Sequence, residues 1–250
     1  MNATFKKFVW LGSAIFSDES RFTGSSFESF AKFPEAIFKS ATNFSDSQFG
    51  GPTTFLEAQF STRFPKLSGA ILHQNTTFTA KSQFWPDTVN APAEESRESL
   101  AIIRHAVGKQ GLPEEEHYFF RREMAFAARI GSPLQRLPYQ AFGALSDFGY
   151  SLAKPALWLG GSWFIGFLAY AYWLTWLAPT LADAHPLFTA AGFSVAQLFG
   201  FLGFTGSYFG TDFLDALPTA LKVLAGFQTV AGVVLLFFLG LGLRNRFRLK

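Results

Sequence analysis

The residues of this chain that could do chemistry are few, and most stand in the wrong company for catalysis. There is no cysteine, so no thiol nucleophile, thiolate ligand or disulfide can be drawn. The four histidines, His73, His105, His117 and His185, share no spacing at which two would face one ion, and His105 and His117 fall in separate helical stretches. No nucleophile has its base beside it, no glycine-rich loop has the phosphate-cradling form, and no carboxylates pair within apolar sequence. We therefore expect no enzyme, no metal and no cofactor. What remains is coordination chemistry. Ser194 and Gln197, then Thr205, Gly206, Ser207, Tyr208, Gly210, Thr211 and Asp212, lie in sequence almost without charge, where hydroxyl, amide and main-chain oxygens can replace water around an ion.

The elements that must position these groups are hydrophobic. Ala156 to Ala178 carries no charge and exceeds the roughly 20 residues that cross a bilayer. Trp158 stands toward one end of that run and Tyr172, Trp173 and Trp176 toward the other, as interfacial rings do. Thr219 to Leu243 holds only Lys222, near its start, and reads as a second span. Leu187 to Phe204, about 18 residues, is borderline for a crossing. Charge decides the count. Arg136 and Lys154 precede the first span, and Arg244, Arg246, Arg248 and Lys250 follow the last. Between the spans, Ala178 to Pro218 has no Lys or Arg and carries Asp183, Asp212 and Asp215. Basic flanks stay in the cytoplasm, so both ends are expected there, the crossings are even in number, and residues 187–204 enter and leave by one side. Irregular backbone at that depth is tolerated only against protein or a water-filled cavity, which points to a pore or an oligomer centre. The net charge of +3 thus anchors a membrane protein and gives no reason to expect nucleic acid.

The front of the chain is patterned differently. Phe5, Phe16, Phe27, Phe38, Phe49 and Phe60 are spaced by eleven, with Ile71 continuing the series, and Phe22, Phe33, Phe44 and Phe55 interleave. Successive rings stand five and six residues apart, a step that neither helix nor strand produces. A small residue precedes many of them by two, as in Ala14-Ile15-Phe16, Ala36-Ile37-Phe38 and Ala58-Gln59-Phe60. Over residues 3 to 85 this resembles the pentapeptide-repeat family. The resemblance implies a right-handed quadrilateral β-helix with these phenylalanines as its internal rungs, and the alternating sixth residue implies a bulge at alternate corners. The register decays beyond Phe60, where Phe64 comes early and Ile71, Leu72, Phe78 and Phe84 follow irregularly; Pro86 and Pro92 then close the solenoid. Some relatives in that family mimic DNA with an acidic face. Residues 1–92 hold eight Lys and Arg against seven Asp and Glu, so that role is not expected here.

Glu94 to Lys109 and the segment from Pro113 read as a helical hairpin, with Pro113 in a first turn followed by three glutamates. Glu114 to Met124 (EEEHYFFRREM), followed by Ala144 to Trp158 (ALSDFGYSLAKPALW), resembles the connector of bacterial pentapeptide-repeat proteins fused to a two-span ion-channel-like domain; Phe119, Phe120, Arg122, Glu123, Met124, Gly149, Tyr150 and Pro155 carry the match. The fold class expected is a β + α membrane protein: a pentapeptide-repeat β-helix over 1–92, a helical connector with an interfacial segment over 93–154, and a membrane domain over 155–250. In that last domain two transmembrane helices, about 156–178 and 219–243, flank a re-entrant helix at about 187–204. The resemblance implies a bacterial inner-membrane location, a homo-oligomer, with a tetramer favoured, and a potassium-channel-like layout. Phe204 to Asp212 echoes the composition of a carbonyl filter without its spacing, so a poorly selective ion channel is the expected function. The alternative is a membrane-anchored scaffold whose solenoid binds a cytoplasmic protein partner. The lipid bilayer is a partner in either case.

Overall fold

A phenylalanine every five or six residues can be buried only if the backbone turns a corner between them. Residues 4 to 78 do so in short parallel strands, grouped into ladders of three, four, three and two strands, in the computed structural model of the chain. The structure describes residues 2–87, 89, 91–181 and 185–247; Asp183, Arg248 and Lys250 lie outside these. Phe5 pairs with Phe27 and Phe27 with Phe49, while Phe16, Phe38 and Phe60 align in the same way, so one coil takes 22 residues and the solenoid makes about three turns. Rings of successive coils stack face to face. Phe5, Phe27 and Phe49 form one column with centroids 4.8 Å apart, and Phe33, Phe55 and Phe78 another at 4.9 and 5.1 Å. Phe27, Phe33, Phe38, Phe44, Phe49, Phe55 and Phe60 are buried, whereas Phe5, Phe16 and Phe22 in the first coil are half-buried.

The two kinds of step are built differently. In each five-residue step a tight turn closes with a main-chain hydrogen bond, as from Ala36 N to Phe33 O, and its third residue is left-handed: Ser13, Gly24, Glu35, Asp46 and Glu57. In each six-residue step the extra residue is absorbed in a wider bend, at Asp18, Ser29, Ser40 and Gly51. Small residues fill the space beside the rings; Ser25, Ala31, Ala36, Ser47 and Ala58 are all buried.

Beyond Phe60 the solenoid continues where decay was expected. Asn43 pairs with Lys66, Gln48 with Ile71 and Phe55 with Phe78, so the last coil keeps the ladders with one residue inserted. The insertion corrects the series at Ile71. It takes the outward position of Gln48 and is 62% exposed, while Leu72 moves to the inward one. Trp85 then stacks on Phe60 at 5.3 Å and on Phe64 at 5.7 Å.

Helices α1 (Ala93–Gly108) and α2 (Pro113–Ala127) pair and close this end of the solenoid. Leu100, Ile103 and Val107 of α1 and Phe119 and Phe126 of α2 join the same apolar core as the rungs, with Phe119 edge-on to Trp85 and Phe126 edge-on to Phe64. Such a cap is needed because the last coil has no successor to cover it. Polar links fix it: Arg122 donates to Pro86 O at 3.0 Å, and Arg104 pairs with the buried Glu123 at 2.7 Å.

The chain divides into two units, 1–140 and 141–250, and helix α3 (Pro133–Ser146) runs across the boundary. In the second unit, α4 (Ala153–Tyr172) continues through a wide turn, Trp173–Leu177; α5 (Pro186–Leu198), α6 (Phe204–Ala216) and α7 (Thr219–Phe247) follow. The 25 residues of α4 with its extension and the 29 of α7 are long and apolar enough to cross a membrane. Most of their surface is exposed, including Ile165, Leu168, Phe227, Val230 and Phe237.

Candidate functional site

Apolar helices give one another little direction, so the polar groups between them decide the register. The centre of the second unit is Gln228 of α7, which is fully buried. Its Nε2 donates to Ser162 O and to Ser194 Oγ, both at 2.9 Å, and its Oε1 accepts from the Tyr170 hydroxyl at 2.9 Å. Ser194 Oγ in turn donates to Trp163 O at 2.8 Å. The seam joins α4, α5 and α7, and it engages both N–H donors and the carbonyl oxygen of the Gln228 amide. Gly166 makes room for it, since a methyl group there would collide with Gln228 and Ser194. Gly232 lets the α7 backbone touch the carbonyl of Leu198, and a Cβ would abolish that contact.

These contacts set how far α5 reaches. Its last turn lies against Thr229 and Gly232, near the middle of α7, and Ser194 meets Trp163, near the middle of α4. The chain then returns. Phe213 of α6 packs edge-on to Trp173, just past the end of α4, at 5.9 Å, and Leu217 joins the same apolar cluster, so the chain comes back to the C-terminal end of α4 before α7 begins.

Below this return lies a crevice of about 490 Å³ lined by Gln197, Gly200, Thr205, Leu214, Asp215, Lys222 and Thr229 among others. It runs seven residues along α7, about 10 Å of helix rise. Gln197 is 6% exposed, and its Nε2 is buried without a hydrogen-bond partner among the described residues. Thr229 Oγ1 sits 3.0 Å from Gln197 O and 3.1 Å from Ala225 O, and Thr205 Oγ1 donates to Ala196 O at 3.3 Å. An unpaired amide N–H beside this crevice is an open hydrogen-bond donor, which a water oxygen or an anion can satisfy.

The structure thus brings Ser194, Gln197 and Thr205 to the end of α5, Ser194 within the seam and the other two on the crevice. Gly206, Ser207, Tyr208, Thr211 and Asp212 are exposed on α6, away from that crevice lining. A carbonyl filter, whose composition Phe204 to Asp212 echoes, needs extended backbone; here the stretch is helical, with a break at Gly210, whose φ of 71° and ψ of 174° interrupt the ladder. The reason is hydrophobic. Phe209 and Phe213, on either side of the break, both dock on Phe193 with centroids 5.0 Å away, which holds the two wound pieces against α5. The main chain of α6 is therefore wound on both sides of Gly210 rather than extended. Gln228, Tyr170 and Thr229 were not singled out from sequence, although a lone amide deep in a long apolar run is a readable signal.

Comparison with protein-family models, with curated proteins and with solved structures finds no match to this chain.

Proposed function

We propose that this chain is an integral membrane protein of the pentapeptide-repeat type, in which a cytoplasmic solenoid of quadrilateral right-handed coils is joined to a two-span, potassium-channel-like pore domain. In a homo-oligomer, that domain lines a poorly selective ion pathway. The observation that carries the reading is the length of α5. A helix that stops beside the midpoints of two span-length helices, then returns to the end it came from, follows the plan of a re-entrant pore helix. The crevice beside Gln197 supports it, because it brings the polar groups of Gln197, Thr205 and Thr229 together about a third of the way along α7. A wound α6 offers no ring of main-chain carbonyls, so potassium selectivity is not part of the proposal.

A second reading, a non-conducting membrane-anchored scaffold, is favoured by the closure of the seam: Gln228, Ser194 and Tyr170 satisfy one another and leave nothing for a solute. Ion flux into liposomes carrying the purified chain separates the two. Flux above empty liposomes, similar for sodium and potassium and reduced several-fold by Gln197→Leu, is the expected result. Flux equal to that of empty liposomes, for folded oligomer, would leave the scaffold.

A further inference from the structure

We infer that α3 is a membrane-surface helix whose apolar side rests in the headgroup layer of a phospholipid bilayer. The inference rests on the reading that α4 and α7 cross a membrane, and adds to it a third, lateral attachment. At about 100° per residue, the sequence of α3 divides cleanly into two faces. Leu134, Leu137, Pro138, Ala141, Phe142, Ala144 and Leu145 fall within one half of the helix, and Gln135, Arg136, Tyr139, Gln140 and Gly143 in the other. Leu134 is 79% exposed and Leu137 58% exposed, so the described residues leave the apolar half of the first turns largely uncovered. Two leucines left bare on a helix this amphipathic are in place against lipid and costly against water.

The other end of α3 shows which occupant to choose. Its last turns pack on the span-length helices: Phe142 stacks on Phe238 of α7 at 5.6 Å, Trp158 Nε1 of α4 donates to Ala144 O at 3.3 Å, and Lys154 Nζ donates to Gly143 O at 3.1 Å. Trp158 and Lys154 open α4, and Arg244 and Arg246 close α7. A tryptophan and basic side chains where apolar helices end are the anchors of a membrane boundary. The last turns of α3 therefore sit at that boundary, and a helix lying along it presents its leucines to the acyl region while its single charge, the half-buried Arg136, stays on the opposite side beside Glu94 and Glu95. A protein partner would require a complementary apolar groove; a bilayer requires only the depth that the contacts of α3 already supply.

The absence of native cysteine makes the test direct. Single cysteines at 134, 135, 136, 137, 140 and 141 of the full-length protein, and a reference cysteine at Val233 on the exposed surface of α7, are spin-labelled in lipid nanodiscs. Collision with dissolved oxygen, which concentrates in lipid, is compared with collision with a water-soluble nickel chelate. Positions 134, 137 and 141 are expected to favour oxygen severalfold over 135, 136 and 140. If 233 favours oxygen while all six α3 positions favour nickel, or if 134 and 137 are shielded from both reagents as in a protein interface, the inference falls and the membrane reading stands. If 233 itself favours nickel, the membrane reading fails first.

Discussion

Phe38 has no exposed surface and lies face to face with Phe16 at 4.7 Å and Phe60 at 5.0 Å. Truncating it opens a void between two coils that cannot collapse without moving both ladders. Phe38→Ala should cost about 3–5 kcal/mol, while its exposed neighbour Lys39→Ala stays within about 0.5 kcal/mol. Thermal unfolding followed by circular dichroism reads both, and equal shifts would deny that Phe38 is a rung. Tyr118 gives a pH-dependent companion. Burial pushes its hydroxyl above the usual tyrosine range, against the opposing pull of Arg122. The folded state therefore favours the neutral phenol. The corresponding stability is fully present below about pH 10, the ordinary tyrosine value, and is lost as pH rises from there toward the higher folded value. Tyr118→Phe should flatten that alkaline decline, and an unchanged slope would assign it to other groups. At this scale the rungs were legible because aromatic side chains at a five- and six-residue step have few ways to be buried together. Ile71 was not, because the single inserted residue beyond Phe60 leaves no mark in composition and yet exchanges the inward and outward positions.

Elements meet where side chains are smallest. Gly232 faces the carbonyl of Leu198, and nothing lies within 4 Å of where a Cβ at Gly226 would be, although both are glycines of the same helix. Gly232→Val should push the end of α5 off α7, break the contact of Thr229 with Gln197 and lower thermal stability in detergent by several degrees. Gly226→Val should be nearly silent, and comparable losses would show that the α5–α7 contact does not hold the unit. Gln228→Leu tests the seam from the other side. It deletes three hydrogen bonds and strands the Tyr170 hydroxyl, for a loss of about 1–3 kcal/mol, since hydrogen bonds between apolar helices are individually modest. The two long helices were readable from length and apolarity alone. The winding of α6 was not, because Thr205-Gly206-Ser207 has the composition of a turn, and the phenylalanines that hold it act through Phe193, a contact invisible in linear sequence. The hub of the seam was readable only in part: a lone amide in a long apolar run signals a buried polar contact, but its partners Tyr170, Ser162 and Ser194 lie on other helices and are named by nothing local to Gln228.

At the scale of the whole molecule, charge alone carries the orientation. Arg136 and Lys154 stand before the first long helix and Arg244 and Arg246 at the end of the second, while the described residues between the two helices carry Asp212 and Asp215 and no Lys or Arg. The energetic bias is toward keeping basic flanks in the cytoplasm, and it acts on both ends of the pair alike. Solenoid and C-terminal flank should therefore share one side, with α6 on the other. A cysteine-free chain allows this to be asked one residue at a time. Gln59→Cys lies on an outward strand position of the solenoid, Ser207→Cys on the exposed surface of α6, and Asn245→Cys near the end of α7. In intact cells a membrane-impermeant maleimide should label residue 207 alone, and after permeabilisation it should also reach 59, with 245 intermediate because that position is half-buried. Labelling of 59 from outside would invert the orientation and remove the solenoid from any cytoplasmic partner. Labelling of 59 and 207 from the same side would mean that α4 does not cross. In that case the half-length of α5 would lose its meaning as a re-entrant element, and the crevice at Gln197 would have to be read as a pocket of a peripheral protein.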